Sequence, residues 1–503
     1  MSRISLLLAL GALACIVPAD IEISTFDPWG ELGRLAAGAL APDWGALYEF
    51  RLALLNTLTF AFCGLALGAA GGAGLAFFFH RAPVRLFCAL TRSIHEIFWA
   101  FLFMPAVGLN PLCGILAIAL PYAGVFAKVY AEILQEADPK PLRGLPPGAG
   151  ALSRFFYAVL PTIYADAAHY TAYRFECALR SSAVLGFIGL PTLGFHLETA
   201  FREGLYGQAA VLLYAFFFLV ASLKYWLRPL SAALGVGASW LLVSTEISFS
   251  WANTSRFLAY DIVPWPLRRQ GFADGSLDIA WAPGPLWDWL VDLFAAQVLP
   301  GLWNTVVLTQ IALGATGLLT LAGFAFLSRH FSGALARRLA RWTSIVLRTT
   351  PEYILAYVFV LLWGPSMLPA LAAIALHNGS ILAHLTAQRA DRVALRPDAP
   401  GRRSDRYAYE ILPRVYGQFL AFLFYRWEII MRESALLGLL GVHTLGFFID
   451  SAFAEDRLDR AVLLIACTAL LNMAVDAFSQ RVRRRLRVSS GQVRTLEVDK
   501  GPR

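Results

Sequence analysis

The sequence is poor in charged residues for its length. Of 503 residues, only 15% are Asp, Glu, Lys or Arg, whereas 58% are hydrophobic. Soluble domains carry about 25% charged residues, so this chain has too little polar surface to cover a water-soluble protein of its size. Apolar runs of about 20 residues, the length that crosses the hydrocarbon layer of a bilayer, recur along the whole chain. The composition therefore predicts an all-α integral membrane protein in contact with the lipid bilayer.

The chain also lacks the common signatures of catalysis and of cofactor binding. No G-x-x-x-x-G-K-[S/T] sequence occurs, so the chain does not cradle ATP phosphates by that route. The six cysteines form no C-x-x-C pair, and the eight histidines show no H-E-x-x-H spacing. We therefore expect no metal, no other cofactor and no enzymatic activity in this chain.

Nucleic-acid binding is not expected either, although the formal net charge is +8. A nucleic-acid interface usually shows a basic stripe interleaved with aromatic residues. Here the arginines gather instead in short segments between apolar runs. Such a placement is typical of signals that orient membrane spans.

The apolar runs predict about twelve spans. The expected positions are 4–18, 52–79, 93–108, 111–133, 163–188, 208–227, 231–248, 303–327, 343–363, 367–385, 415–440 and 461–478. The first run, preceded by Arg3, also fits a signal peptide. A retained span is favoured because it makes the two halves of the chain match and satisfies the charge pattern.

The loop charges predict the orientation. Segments 80–92 and 328–348 hold arginines and no acid, and five arginines open the tail after residue 480. Segment 19–50, by contrast, is acidic. If basic loops stay in the cytoplasm, both termini are cytoplasmic. The same rule places four connecting loops on that side: 80–92, 134–162, 328–342 and 386–414.

The chain contains an internal repeat. Segments 160–201 and 412–453 share 18 of 42 residues without a gap, at a constant offset of 252. The matches include Tyr, Arg and Glu residues. Chance similarity between two apolar helices would match apolar residues and would not explain these. We therefore predict a tandem duplication, with a first half at 1–230 (core 52–228) and a second half at 231–503 (core 303–480).

An even number of spans in each half gives both halves the same orientation, a plan common to transporters whose route lies between two halves. ATP-driven permease pairs and twelve-span secondary carriers share that plan. The repeat alone does not choose between these two classes.

The residues at 92–138 and 173–189 resemble the permeases of bacterial phosphonate-type ABC importers. The resemblance covers most of the first half and, more weakly, 304–480. It implies a type I ABC importer fold like that of the methionine importer's membrane subunit, in the bacterial inner membrane. It also implies ABC ATPase subunits on the cytoplasmic side, a periplasmic solute-binding protein, and a small phosphorus oxyanion (phosphonate, phosphate or phosphite) as cargo. The alternatives are an ABC permease for another small solute such as an amino acid, and a secondary carrier.

The family's loop that docks on the ATPase is partly kept. Gly148 stands twelve residues before Leu160 and Pro161, as the family pattern requires. In the second half Leu412 and Pro413 recur, while Pro400 takes the place of the glycine, in a far more basic loop. The expectation is a sharp turn at the glycine and a span that begins at the proline. A plain polar connection is the alternative.

A charged triplet recurs in each half of the repeat, inside an apolar span: Arg174, Glu176 and Arg180, and Arg426, Glu428 and Arg432. Ionisable residues in a span are costly and usually face a cavity or each other. One hypothesis is that the acid and the second arginine, four residues apart, neutralise each other. The other is that an arginine faces the translocation route and attracts an anion, since guanidinium groups suit phosphorus oxyanions. Glu96 and Glu352, on corresponding spans, are weaker candidates.

A glycine-containing loop follows each triplet, at residues 189–194 and 441–446. Interruptions at matching positions of two halves indicate a route or a gate. The gate candidates are Gly189, Gly194, Gly441 and Gly446. An ordinary turn between spans is the alternative.

Overall fold

The computed structural model describes residues 3–146, 148–244, 247, 249–268 and 283–485, and helices dominate this part of the chain. The longer helices before residue 245 are α1 Arg3–Ile16, α2 Pro28–Leu40, α3 Arg51–Phe77, α4 Ala82–Ser93, α5 Glu96–Val107, α6 Pro111–Glu136, α7 Leu160–Val184, α8 Leu193–Arg202, α9 Tyr206–Trp226 and α10 Pro229–Ser244. Those after residue 282 are α11 Pro283–Leu293, α12 Leu299–Leu327, α13 Ala334–Thr349, α14 Glu352–Trp363, α15 Met367–Asp391, α16 Leu412–Leu436, α17 Leu445–Ala454 and α18 Leu458–Arg485.

Shorter helical segments lie between several of these helices. Wider π-helical turns occur at Phe155–Val159, Phe257–Asp261, Phe294–Val298 and Arg406–Ile411, and 3₁₀ turns at Leu185–Ile188, Trp265–Leu267 and Leu437–Leu440. Short α-helical segments occur at Gly45–Glu49, Lys140–Arg143, Ala151–Arg154, Trp251–Arg256 and Arg403–Asp405.

The number of membrane spans follows from the length and apolarity of these helices. In the described part of the chain, six helical runs can cross a membrane, and the number rises to ten if each of four bent pairs counts as one span. Two shorter apolar helices, Arg3–Ile16 and Pro229–Val243, lie where further spans were expected. The expected number of twelve stays a prediction. Both ends of the chain, including Arg487 of the basic tail, lie outside the described residues.

Two helix pairs are sharply bent at equivalent places in the two halves. α4 meets α5 at 96°, and α13 meets α14 at 98°. The prediction that 80–92 and 328–342 are loops is therefore wrong for most of their length. The reason is that arginines and apolar residues recur there at helical spacing, which favours an amphipathic helix lying at a surface.

The chain folds into two compact units. One unit comprises Met1–Leu35 and Asp261–Arg503, and the other comprises Ala36–Tyr260. In the first of these, α1 packs on α12, where a side chain on Gly314 would press on Ala12. In the other, α10 packs on α3, where Gly235 lies against the ring of Phe62. α1 therefore packs with the second half of the repeat, and α10 packs with the first half. The boundary between the two halves near residue 230 stays a prediction.

Close packing in the Ala36–Tyr260 unit rests on small residues. Gly64, Gly68 and Gly72 recur every four residues on α3, on the face that meets α6. A methyl group on any of the three would press on the Cβ atom of Ile118, Tyr122 or Phe126. Such spacing of small residues lets the backbones of two membrane helices approach closely. This seam holds Tyr122 at a fixed place inside the unit.

Candidate functional site

In the first half, α7 carries Arg174 and Ser181, and α6 carries Tyr122. The guanidinium carbon of Arg174 lies 4.4 Å from the centre of the Tyr122 ring, a cation–π contact. The Tyr122 hydroxyl lies 3.4 Å from the hydroxyl of Ser181, which is about two turns after Arg174 on α7. Nε of Arg174 is buried without a hydrogen-bond partner, and Arg174 has no ion pair within the described part of the chain. This positive charge is therefore held by an aromatic ring and not by a carboxylate.

In the second half, the equivalent arginine has amide and carboxylate neighbours. Arg426 is 8% exposed and donates from Nη1 to Oδ1 of Asn378 at 3.5 Å. Asn378 in turn donates from Nδ2 to Oε2 of Glu433 at 3.5 Å. The carboxylate of Glu433 also interacts electrostatically with Glu352, Arg426 and Arg432. Two acids and two arginines thus lie close together here.

These two clusters occupy the same places in the repeat. Arg174 matches Arg426 at the offset of 252, and Ser181 matches Glu433. α6 and α15, each capped by a polar side chain at residues 110 and 366, match at an offset of 256, which pairs Tyr122 with Asn378. The duplication has therefore kept the arginine and replaced both of its neighbours. We refer to these residues as the arginine clusters.

His377 joins the second cluster to Glu352. Its Nε2 lies 2.7 Å from a carboxylate oxygen of Glu352, and its Nδ1 lies 3.0 and 2.9 Å from the backbone carbonyls of Leu347 and Thr350. Because Nδ1 faces only acceptors, it carries a hydrogen. The short contact at Nε2 then requires a second proton, held by the imidazole or by the carboxyl group.

The remaining triplet residues are half-buried on the same helices. Arg180 donates to the sulfur of Cys177 at 3.6 Å. Glu176 has no ion pair among the described residues, so the hypothesis that Glu176 and Arg180 neutralise each other does not describe the first half. Glu428 and Arg432 lie on α16 beside the second cluster.

The two glycine loops share one backbone geometry. Gly189 and Gly441 end the 3₁₀ turns in the left-handed region, with φ of 92° and 86°. Such angles strain any residue with a side chain. Gly194 and Gly446 meet a tighter limit, because a methyl group on either would overlap the carbonyl oxygen of Ala183 or Ala435. Both loops therefore require glycine for steric reasons.

An Asn–Thr pair fastens each loop to the long helix of its half. The Thr57 hydroxyl donates to the carbonyl of Ala53 at 2.7 Å and accepts the N–H of Leu193, the first residue of α8, at 2.9 Å. Nδ2 of Asn56 donates to the carbonyl of Pro191 at 3.0 Å. We call this arrangement the Asn–Thr latch.

The second half repeats the latch. The Thr305 hydroxyl accepts the N–H of Leu445 at 3.1 Å, and Asn304 donates to the carbonyl of His443 at 2.8 Å. Thr57 and Thr305 are both buried. The latch thus holds the glycine loop against the long helix in both halves.

The segment before α7 is more helical than expected. Gly148 does turn the chain sharply, with φ of 99° and open space around it. The helix then begins at Ala151 and runs through the π-turn Phe155–Val159 into α7. The helix thus begins ten residues before Pro161, and the start of the membrane span at Pro161 stays a prediction. A proline has no N–H to give to the preceding turn, and the wider π-turn accommodates it.

The second half has the same construction without the glycine. A helix starts at Arg403 and passes through the π-turn Arg406–Ile411 to Leu412 and Pro413. Glu410 is buried there and pairs with Arg414 at 2.9 Å. Tyr157 and Tyr409, which match at the offset of 252, are 77% and 78% exposed on these segments. We call 151–159 and 403–411 the coupling segments.

Comparison with known proteins shows which proteins have similar sequences. No family model matches the chain. The phosphate-import permease protein PhnE of Mycolicibacterium smegmatis is 26% identical over 465 residues, 86% of this chain and 85% of that protein. The phosphite transport system permease protein PtxC of Stutzerimonas stutzeri is 27% identical over 42% of this chain and 82% of that protein. A cryptic phosphonate transport system permease protein, PhnE2, of Escherichia coli is 31% identical over 22% of this chain and 91% of that protein.

The chain belongs to the phosphonate-type ABC importer permease family. Its members are transport permeases and not enzymes, and in ABC importers the ATPase is a separate subunit. One solved structure, a crystal structure of an amino acid ABC transporter, aligns with 41% of this permease and with the whole of its own chain. The TM-score is 0.34 and the sequence identity is 15%.

The sequence alone missed several residues of this permease that the structure brings to its candidate site. Five residues outside the charged triplets lie in or beside the clusters of Arg174 and Arg426: Tyr122, Ser181, Asn378, His377 and Glu433. A signal was present for Glu433 and His377, since ionisable residues inside apolar spans are functional candidates. No sequence pattern pointed to Tyr122.

Proposed function

We propose that this permease moves a small phosphorus oxyanion (phosphonate, phosphate or phosphite) through the bacterial inner membrane, with both halves of the transporter on one chain. Two observations support this cargo. Relatives with phosphate-, phosphite- and phosphonate-transport names match the chain. In addition, each half carries two repeat-related arginines inside an apolar helix, and guanidinium groups bind such oxygens well.

The observation that carries the proposal is the environment of the Arg174 guanidinium. Its guanidinium has a buried Nε without a hydrogen-bond partner and no ion pair in the described residues. In the second half, Arg426 instead donates to Asn378 and lies near Glu433. An oxyanion that passes Arg174 would supply the missing acceptor. We therefore assign the main anion contact to Arg174, and a weaker or structural role to Arg426.

The coupling segments are the proposed docking points for the ATPase subunits. Both expose a tyrosine at the same repeat position, and the first also exposes Leu152 and Phe156. Exposed aromatic side chains of this kind are enriched at the centres of protein interfaces.

The proposed topology has about twelve spans and both termini in the cytoplasm. On this topology the coupling segments face the ATPases and the glycine loops lie nearer the periplasm. A periplasmic solute-binding protein then delivers the cargo, as the resemblance implies. Cysteine accessibility from each side of the membrane tests the orientation.

The function is tested by reconstituting the permease with its ATPase and binding protein in proteoliposomes. Uptake of labelled phosphate, competed by phosphite or a phosphonate, should require ATP and should resist a protonophore. Uptake of an amino acid in the same assay, without competition by phosphorus oxyanions, would replace this cargo with the alternative one.

A secondary carrier is the second candidate, because the imidazole of His377 lies 2.7 Å from a carboxylate oxygen of Glu352 in the second half, and His and Glu side chains inside spans form proton relays in some transporters. That function predicts uptake without ATP, driven by a proton gradient and lost with the protonophore. The ATP requirement and the protonophore response therefore separate the two functions in one assay.

A further inference from the structure

A basic pocket lies at the end of α15, beside α13. Its volume is about 420 Å³, and it is lined by Arg329, Arg337, Arg341, Gln388, Asp391 and Arg392. Four arginines against one acid leave three positive charges in excess. We call this the arginine pocket. None of its residues belongs to the arginine clusters, to the Asn–Thr latch or to the coupling segments.

The one acid of the pocket is already satisfied. Oδ1 of Asp391 accepts the hydroxyl of Ser328 at 2.6 Å and the N–H of Arg329 at 2.9 Å. The Arg329 guanidinium donates to the backbone carbonyl of Asp391 at 2.7 Å, which fixes that side chain to the end of α15. Oδ1 of Asp391 is thus bonded to the segment before α13, and a single carboxylate does not balance the four arginines of the pocket.

Arg337 and Arg341 supply the available charge. They lie four residues apart on α13, so they share one face of the helix. Within the described residues, neither guanidinium has a hydrogen-bond or ion-pair partner. The neighbouring His330 has a lowered pKa, mainly because it is partly buried. The carboxylate of Asp391 opposes this shift, and the guanidinium groups of Arg329 and Arg406 add to it.

The opposite face of α13 is apolar and exposed. Leu335, Leu339, Trp342 and Val346 recur at helical spacing, and Leu335 and Trp342 are 71% and 68% exposed. A helix with one apolar and one basic face lies in the membrane interface, with its apolar side among the acyl chains. The 98° bend between α13 and α14 fits this position, because α14 belongs to a candidate span. Arg337 and Arg341 then lie at the depth of the lipid phosphates.

The first half provides an internal comparison. At the offset of 256, Arg81 and Arg85 match Arg337 and Arg341, whereas Glu132 and Glu136 replace Gln388 and Arg392. The Arg81 guanidinium lies over the Phe78 ring, and Arg85 donates to the carbonyl of His80. The charge excess is therefore confined to the second half.

We propose that the arginine pocket binds the phosphate group of an anionic phospholipid. The charge selects the phosphate, and the apolar face of α13 selects a lipid source over a free anion. A neutral zwitterionic lipid offers no net charge to the pocket. The permease should therefore retain phosphatidylglycerol in preference to phosphatidylcholine, at the second half only.

The test uses the full permease in phosphatidylcholine nanodiscs that contain a photoactivatable phosphatidylglycerol, with crosslinked peptides mapped by mass spectrometry. Crosslinks should map to 329–341 and 388–392. The Arg337→Gln/Arg341→Gln variant should weaken lipid binding about fivefold for each arginine. The matched Arg81→Gln/Arg85→Gln variant should leave binding unchanged. Arg337→Lys/Arg341→Lys keeps the charge and should keep most of the binding, which separates charge from misfolding.

Three outcomes overturn the proposal. Equal crosslinking of wild-type and Arg337→Gln/Arg341→Gln proteins means that the pocket does not select the lipid. Inorganic phosphate that abolishes crosslinking of the labelled lipid to 329–341 and 388–392 in the same nanodiscs identifies a free anion as the occupant. Loss of ATPase association in the double variant, with lipid crosslinking intact, identifies the pocket as a protein-docking surface.

Discussion

The guanidinium of Arg174 lies over the ring of Tyr122, 4.4 Å from its centre, and its counterpart Arg426 lies beside an amide and acids instead. The duplicated halves thus hold the same cation in two different environments. A cation on an aromatic face keeps its hydrogen-bond donors available for a passing acceptor. A cation beside a carboxylate does not. This difference makes the two halves distinguishable by mutation.

Replacing Arg174 with Gln should lower the rate of phosphate uptake by roughly tenfold or more, because a hydrogen bond to a charged group contributes about 1.5–3 kcal/mol. Arg174→Lys should retain part of the activity, since it keeps the charge but loses the planar donor pair. Uptake by proteoliposomes at fixed ATPase content measures both effects. Equal loss in the Gln and Lys variants would argue for a packing role only.

The corresponding change in the second half should act differently. Arg426→Gln leaves the acids near that position without their compensating charge, which is costly inside a protein. We expect a lower unfolding temperature for Arg426→Gln than for Arg174→Gln, measured by thermal unfolding in detergent. The reverse order would contradict the assignment of the structural role to Arg426.

The Asn–Thr latch predicts a specific loss on removing one hydroxyl. Thr57→Val keeps the shape but leaves the buried N–H of Leu193 without an acceptor, at a cost of about 1–3 kcal/mol. Thr57→Ser should restore the stability, because it returns the acceptor. Hydrogen exchange at Leu193 reports the latch directly, and unchanged exchange in Thr57→Val would show that the bond is not formed.

The tight glycines should tolerate no side chain. Gly194→Ala and Gly446→Ala place a methyl group against a backbone carbonyl, and overpacking of this kind costs at least ~1–3 kcal/mol. Gly74→Ala on α3 is the matched control, since its methyl group would meet open space. The yield of folded protein by size-exclusion chromatography should fall for the first two variants and not for the third.

The coupling segments predict loss of ATPase control without loss of the fold. Tyr157→Ala removes an exposed ring, so thermal stability should stay unchanged while transport-stimulated ATP hydrolysis falls. Gly148→Val should do the same, because a β-branched residue resists a φ of 99°. The control is Tyr164→Ala, an exposed tyrosine on α7 outside the segment. Normal coupling in both test variants would remove the segment from the docking surface.

A good part of this protein could be predicted from the order of its residues. Charge deficit and apolar length indicate a membrane protein because the bilayer tolerates little else. The duplication is visible at 160–201 and 412–453 because a repeat is a property of residue order. Gly148 was the predicted sharp turn and has positive φ. Gly189 and Gly441, the gate candidates for which an ordinary turn was the alternative, have positive φ as well.

Other features depend on how helices pack, which local periodicity does not encode. Tyr122 and Arg174 lie 52 positions apart and meet because α6 and α7 pack against each other. α1 and α10 pack across the repeat boundary, and α13 turns away from α14 by 98°. The residue order therefore determined which chemical groups are present in the membrane and how often they recur. Tertiary packing decided which group each arginine contacts, because such contacts depend on the angle and distance between helices far apart in the chain.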